Sequence, residues 1–186
     1  HLDTTLRLLA VNPAADVDPF ELGLHLAADE YPGLDVPVYL SRVDDLADRL
    51  APRLAGPLHD RVTALAEFLF QAEGFAGNEA DYYDPRNSYL SDVLDRRLGI
   101  PLTLSLLAAA VGERCGLAVV GVGLPGHFVA KATAGDDEVI FDPFHGGRVL
   151  DRAGCEELVR TATGQPFVAT DAAVRRPVKA PGPRPK

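Results

Sequence analysis

The stretch Asn87-Ser-Tyr-Leu-Ser-Asp-Val-Leu-Asp-Arg-Arg-Leu-Gly-Ile-Pro101 leads into an apolar segment, then Gly123-Leu-Pro-Gly-His127, then Phe141-Asp142-Pro143. Pro at a first helical position after a Gly that can close the preceding helix predicts two successive helices, about 89–98 and 101–115. Asn87 or Ser88 is the expected cap of the first, and Gly99 its left-handed closing residue. The second carries Leu102, Leu104, Leu106, Leu107, Ala110 and Val111, apolar nearly all round, so it is expected to be central and buried. A helix N-terminus, a His and an Asp thus follow one another as nucleophile, base and orienter do in a catalytic triad. At the nucleophile's place stand Pro101, Leu102 and Thr103.

Downstream of the central helix, residues 117–123, 127–133 and 137–142 read as strands, with Gly135-Asp136-Asp137 as turn chemistry. If the last two strands turn between Ala134 and Gly135, residues whose numbers sum to 269 lie opposite one another. Phe128 then faces Phe141, Val129 faces Ile140 and Lys131 faces Glu138, as cross-strand pairing favours. The same register sets His127 opposite Asp142, with Cβ atoms about 4.5–5.5 Å apart. A carboxylate accepting from one ring nitrogen fixes the tautomer and frees the other nitrogen to take a proton. A structural reading serves as well: a buried His simply needs an acceptor.

Upstream, Asp18 can cap a helix with Pro19 at its first position and Glu21 as a capping-box partner. Its stripe is Phe20, Leu24 and Ala27. A second helix, about 37–50, presents Val36, Leu40, Val43, Ala47 and Leu50. A third, about 57–72, presents Leu58, Val62, Leu65 and Leu69. Gly74 to Asn87 is a long loop, in which Asp84, Asn87 and Ser88 are candidate cleft residues together with Pro101 and Gly126; turn and capping roles explain them about as well. Asp151 can cap a last helix, about 152–162. One domain is expected over 17–162, a helical lobe (17–73) followed by a core (74–162), with a loosely ordered Pro-rich basic tail over 165–186.

The bulk numbers suit this picture. The 186 residues are 47% hydrophobic and 24% charged, with no Trp and no Met. The missing Met at position 1 suggests a trimmed terminus or a fragment. Net charge is −9, but residues 175–186 hold five cations and no acid, leaving −14 on residues 1–174. So acidic a body argues against nucleic acid, which demands clustered Lys and Arg. No apolar run reaches the roughly 18–20 residues of a bilayer span and no signal peptide is visible, so a cytoplasmic location without membrane partners is expected. Cys115 and Cys155 lack metal-ligand spacing and are expected to be free thiols. Neither a cofactor nor a metal is expected.

The run Asn78, Tyr82-Tyr83-Asp84-Pro85-Arg86-Asn87-Ser88-Tyr89-Leu90, Arg96-Arg97, Gly99-Ile100-Pro101, Gly126-His127-Phe128 and Phe141-Asp142-Pro143-Phe144 resembles the transglutaminase-like core proteins. More narrowly, it is similar to a bacterial branch often followed by tetratricopeptide repeats, with a related core in an F-box protein. The resemblance covers about residues 17–162 and implies a papain-like α+β fold, a central helix against an antiparallel sheet. In catalytic members a Cys opens the central helix, and the His and Asp match His127 and Asp142. The Cys slot falls on about Pro101.

Of the other nucleophile candidates, Cys115 lies at the far end of the same helix, roughly 20 Å away at 1.5 Å per residue. Cys155 falls outside the triad order. Thr103 and Ser105 are nearer, though each has a structural use. Two readings follow. One is a binding or scaffolding module without thiol chemistry that keeps a His–Asp pair and takes a protein or peptide partner. The alternative is an amide or peptide acyl-transfer hydrolase in which His127 is the base, Asp142 its orienter, and Thr103, Ser105 or an activated water the nucleophile. A third use of the pair, metal binding with His145, depends on the direction of a side chain that follows Asp142 past a Pro. Oligomeric state is open.

Overall fold

The computed structural model describes residues 18–170. Residues 1–17 and 171–186, most of the expected basic tail among them, lie outside the described residues.

Three helices lead in. Asp18 accepts from Phe20 N at 2.8 Å and starts α1 (Pro19–Glu30), which buries Phe20, Leu24 and Ala27. Asp35 caps α2 (Val36–Leu50), whose buried stripe is Val36, Val43, Leu46, Ala47 and Leu50. The third helix begins as α3 (Leu58–Ala66) and runs on as a π-helical turn, Glu67–Ala72. Its inward residues Leu58, Val62, Leu65 and Leu69 are the expected ones. The wide turn is not legible in the apolar spacing, because it changes the hydrogen-bond ladder and leaves the burial of those residues intact.

The segment expected as a loop contains β1 (Ala76–Gly77), which pairs in parallel with β2 (Leu98–Gly99). This pairing overturns two expectations around α4 (Leu90–Arg96). The cap residue is Tyr89, with no side-chain bond, and not Asn87 or Ser88. The left-handed closing residue is Arg97, at φ 63°, and not Gly99. The chain must leave the helix at Arg97 for Leu98 and Gly99 to reach β1. Arg97 is held there by Glu73 (3.1 Å) and by the ring of Phe75, 4.7 Å beneath its guanidinium. Gly99 serves close packing: a Cβ on it would stand 2.8 Å from Thr103 Oγ1.

The central helix α5 (Pro101–Arg114) is buried as expected, with Leu104, Leu107 and Val111 fully enclosed. Each contributes about 1.5–3 kcal/mol by leaving water. The helix packs on an antiparallel sheet of order β3-β4-β5-β6: β3 (Ala118–Leu124), β4 (His127–Ala134), β5 (Asp137–Asp142) and β6 (Arg148–Leu150). Ala130, Ala132, Val119 and Phe141 join α5 and the three leading helices in one hydrophobic cluster. Val122, Leu124 and Val129 belong to a second cluster with α6 (Arg152–Thr163), capped by Asp151 through Gly154 N at 2.7 Å. The fold is therefore α+β, a buried helix against an antiparallel sheet. Among the described residues no helix is long and apolar enough to cross a membrane.

The β4–β5 register differs from the expected one. Ala130 pairs with Phe141, Lys131 with Ile140 and Ala134 with Asp137, so paired numbers sum to 271. The turn is a two-residue Gly135-Asp136 loop and not one centred between Ala134 and Gly135. Phe128 therefore pairs with Gly123 and lays its ring against Gly121, where a Cβ would come within 2.4 Å. A slip of two residues keeps every side chain on its expected face.

Candidate functional site

Two short turns bring the site together. Pro125-Gly126 links β3 to β4; Gly126 has φ 72°, which a type II turn requires, and its Cα packs on Ala162 and Thr163 of α6. After β5, Asp142 caps a 3₁₀ turn, Pro143–His145, by accepting from Phe144 N at 3.1 Å. Gly146 and Gly147, at φ 74° and 75°, then reverse the chain into β6.

Asp142 is fully buried and receives both neighbouring imidazoles. His127 Nε2 lies 3.1 Å from Oδ1, and His145 Nδ1 lies 2.6 Å from Oδ2. The two rings are nearly parallel, with centroids 5.6 Å apart, and Phe144 stands edge-on to both. Burial alone would raise the Asp142 carboxyl; the bonds from His127 and His145 outweigh it and hold the group below its ordinary range. The His127 side chain is only 8% exposed and that of His145 38%. The expected His–Asp pair exists, although Asp142 is not His127's ladder partner. His145, whose direction the sequence left open, joins the pair through Asp142. The 3₁₀ period, which stacks residue i+3 over residue i, is the signal that points it at Asp142.

The hydroxyl candidates are elsewhere occupied or enclosed. Thr103 Oγ1 donates to Asn87 O at 2.9 Å and accepts from Ile100 N at 3.1 Å. Ser105 is fully buried and its Oγ has no hydrogen-bond partner. Pro101 is also buried. Cys115 Sγ donates to Ala47 O at 3.1 Å, and Cys155 is on the buried face of α6 in the second cluster. Both are free, and burial pushes both thiols up, away from the thiolate.

The candidate cleft residues of the 74–88 segment form a structural knot. Asn87 is fully enclosed and lines no cleft. Its amide donates to Asp81 O (2.8 Å) and Tyr82 O (3.1 Å) and its Oδ1 accepts from Asn78 (3.0 Å). Asp84 takes a two-pronged bond from Arg86 and another from Arg96 (3.0 Å); these guanidinium groups, Arg86 foremost, hold its carboxyl down at about 2. Ser88 is exposed at the end of the 3₁₀ turn Pro85–Asn87. A cavity of about 330 Å³ beside β5, β6 and α6 is lined by neither His127 nor Asp142.

The family model described as the transglutaminase-like superfamily matches residues 38–180. The chain belongs to the transglutaminase-like superfamily. Among its relatives is a UPF0162 protein of Xylella fastidiosa (strain 9a5c), 40% identical over 145 residues, covering 76% of this chain and 51% of that protein. A UPF0162 protein of Pseudomonas aeruginosa is 30% identical over 86% of this chain and 57% of its own length. F-box only protein 21 of Mus musculus shares 34% identity over 52% of this chain and 17% of itself. The chain spans about half the length of the curated bacterial relatives it matches. This superfamily core therefore recurs in bacterial and mammalian chains with different surroundings.

Proposed function

We propose that this transglutaminase-like domain is a binding or scaffolding module that works without thiol chemistry, recognises a protein or peptide partner, and retains His127 and Asp142 as a structural and ligand-facing pair. The observation that carries the reading is the state of the position where a nucleophile belongs. Pro101 opens the central helix, the nearest hydroxyl (Thr103) is bonded on both sides, and Ser105 is sealed in the core. A nucleophile must reach both its base and its substrate, and neither hydroxyl has a hydrogen bond to His127. Tyr82 and Tyr83, exposed above Phe144 at the edge of the site, offer the aromatic surface that protein contacts favour.

The test is turnover. Purified protein is incubated with amide and peptide substrates and with an acyl-phosphonate probe, followed by mass spectrometry. No product and no adduct are expected. Turnover that disappears in His127→Ala or Asp142→Ala overturns the reading. It would establish the alternative, acyl transfer with His127 as base, which the 3.1 Å His127–Asp142 bond favours.

A further inference from the structure

We propose that His127, Asp142 and His145 form a binding site for a divalent first-row transition-metal ion. The proposal deepens the non-thiol reading, on which it rests, by giving the retained pair a use that needs no nucleophile.

The three side chains offer ligand atoms that all lie within 4.8 Å of one another. The carboxylate is the hub, with ring nitrogens at 3.1 Å and 2.6 Å. Ligands about 2.0–2.2 Å from a zinc ion at tetrahedral angles stand about 3.3 Å apart. To reach that spacing His127 draws back from Asp142 by about 0.2 Å and His145 by about 0.7 Å, while the widest separation in the cluster, within 4.8 Å, closes in. A ring nitrogen that donates to Asp142 must give up that proton before it can hold an ion. An imidazole can do so by moving the proton to its other nitrogen, which frees a lone pair for the ion.

The surroundings suit a bound cation. The carboxylate sits at full burial and is oriented by Phe144 N, a support outside the ligand set. His145 is over a third exposed, so solvent or a partner's side chain can supply a remaining coordination position. Its direction is set by the 3₁₀ turn and the Gly146-Gly147 reversal, so all three ligands stand on backbone of fixed shape. Two imidazoles and one carboxylate, with no thiolate, select zinc, iron(II), nickel or cobalt over calcium and magnesium, which take oxygen ligands.

Zinc is the probe. The full chain, stripped with a chelator, is titrated with zinc chloride at neutral pH by calorimetry, alongside His145→Ala and His127→Ala. One-to-one binding is expected, weakened about tenfold or more in each variant. Zinc should also raise the thermal midpoint of the parent protein and not that of His145→Ala. His145 is half-exposed, so this variant is expected to fold and carries the test if His127→Ala does not. Absence of binding heat in the parent overturns the proposal. So does an unchanged affinity in His145→Ala, which would assign the heat to other histidines such as His25 or His59. A failed zinc titration leaves the non-thiol reading standing, because that reading is decided separately, by turnover of the purified protein.

Discussion

His145 Nδ1 lies 2.6 Å from Asp142 Oδ2, although Pro143 and Phe144 stand between them in the chain. The 3₁₀ turn that Asp142 itself caps makes this contact, so the residue that needs the imidazole also builds the turn that delivers it. Asp142 has no exposure, and each imidazole satisfies one of its oxygens.

Loss of either imidazole leaves a buried carboxylate short of a donor. His127→Ala is expected to destabilise by about 1–3 kcal/mol, and His145→Ala by less because water can replace it there. Urea unfolding measures both. A His127→Ala protein as stable as the parent would mean that the pair is not a folding determinant.

Asn87→Ala is expected to cost about 1–3 kcal/mol, because it leaves the buried Asn78 amide short of an acceptor and removes the ties to the Asp81 and Tyr82 carbonyls. Hydrogen exchange should show residues 78–88 opening first. Uniform loss of protection across the chain would contradict this.

Gly77 lies under Phe144, and a Cβ there would stand 2.6 Å from both its ring and its carbonyl oxygen. Backbone cannot yield as a flexible side chain does, so Gly77→Ala should destabilise by about 1–3 kcal/mol. It should also shift the His145 ring resonances in NMR spectra, since Phe144 precedes His145 and stands 5.1 Å from it.

The Asp84 carboxyl is depressed in the fold to about 2 from an ordinary 3.8. A depressed carboxyl stabilises the fold above its unfolded pKa, and that contribution fades as pH falls through the folded value. Stability should therefore drop between about pH 4 and pH 2. Asp84→Asn should be less stable than the parent at neutral pH and flatter across that acid range. Parallel pH profiles for the two proteins would remove Asp84 from the acid transition.

Much of this was legible in the chain. Asp18, Asp35 and Asp151 cap helices through local bonds that short sequences encode. Of these, the caps at 18 and 151 were foreseen. The apolar stripe of each leading helix and the enclosed central helix follow from periodicity. So does the meeting of His127 with Asp142, and the reason is instructive. Lys131 and Glu138 pair at 3.0 Å across a diagonal, since Lys131's ladder partner is Ile140 and Glu138's is Thr133. Continued past its last pair, the ladder relates His127 to Asp142 by the same diagonal. A two-residue error in register preserves faces, and long side chains bridge the difference.

The amino-acid sequence by itself determined the helices, their inward faces, the family, and the presence of one His and one Asp on neighbouring strands, because these depend on local capping and on periods of 3.6 and 2. Tertiary structure alone decided that Arg97 and not Gly99 turns the chain, that Asn87 is a buried tie and not a cap, and that His145 completes the Asp142 cluster. Those outcomes depend on contacts between segments far apart in sequence: the β1–β2 pairing, the packing of Gly99 on Thr103, and the seating of Phe144 over Gly77. Local propensity contains no term for such contacts.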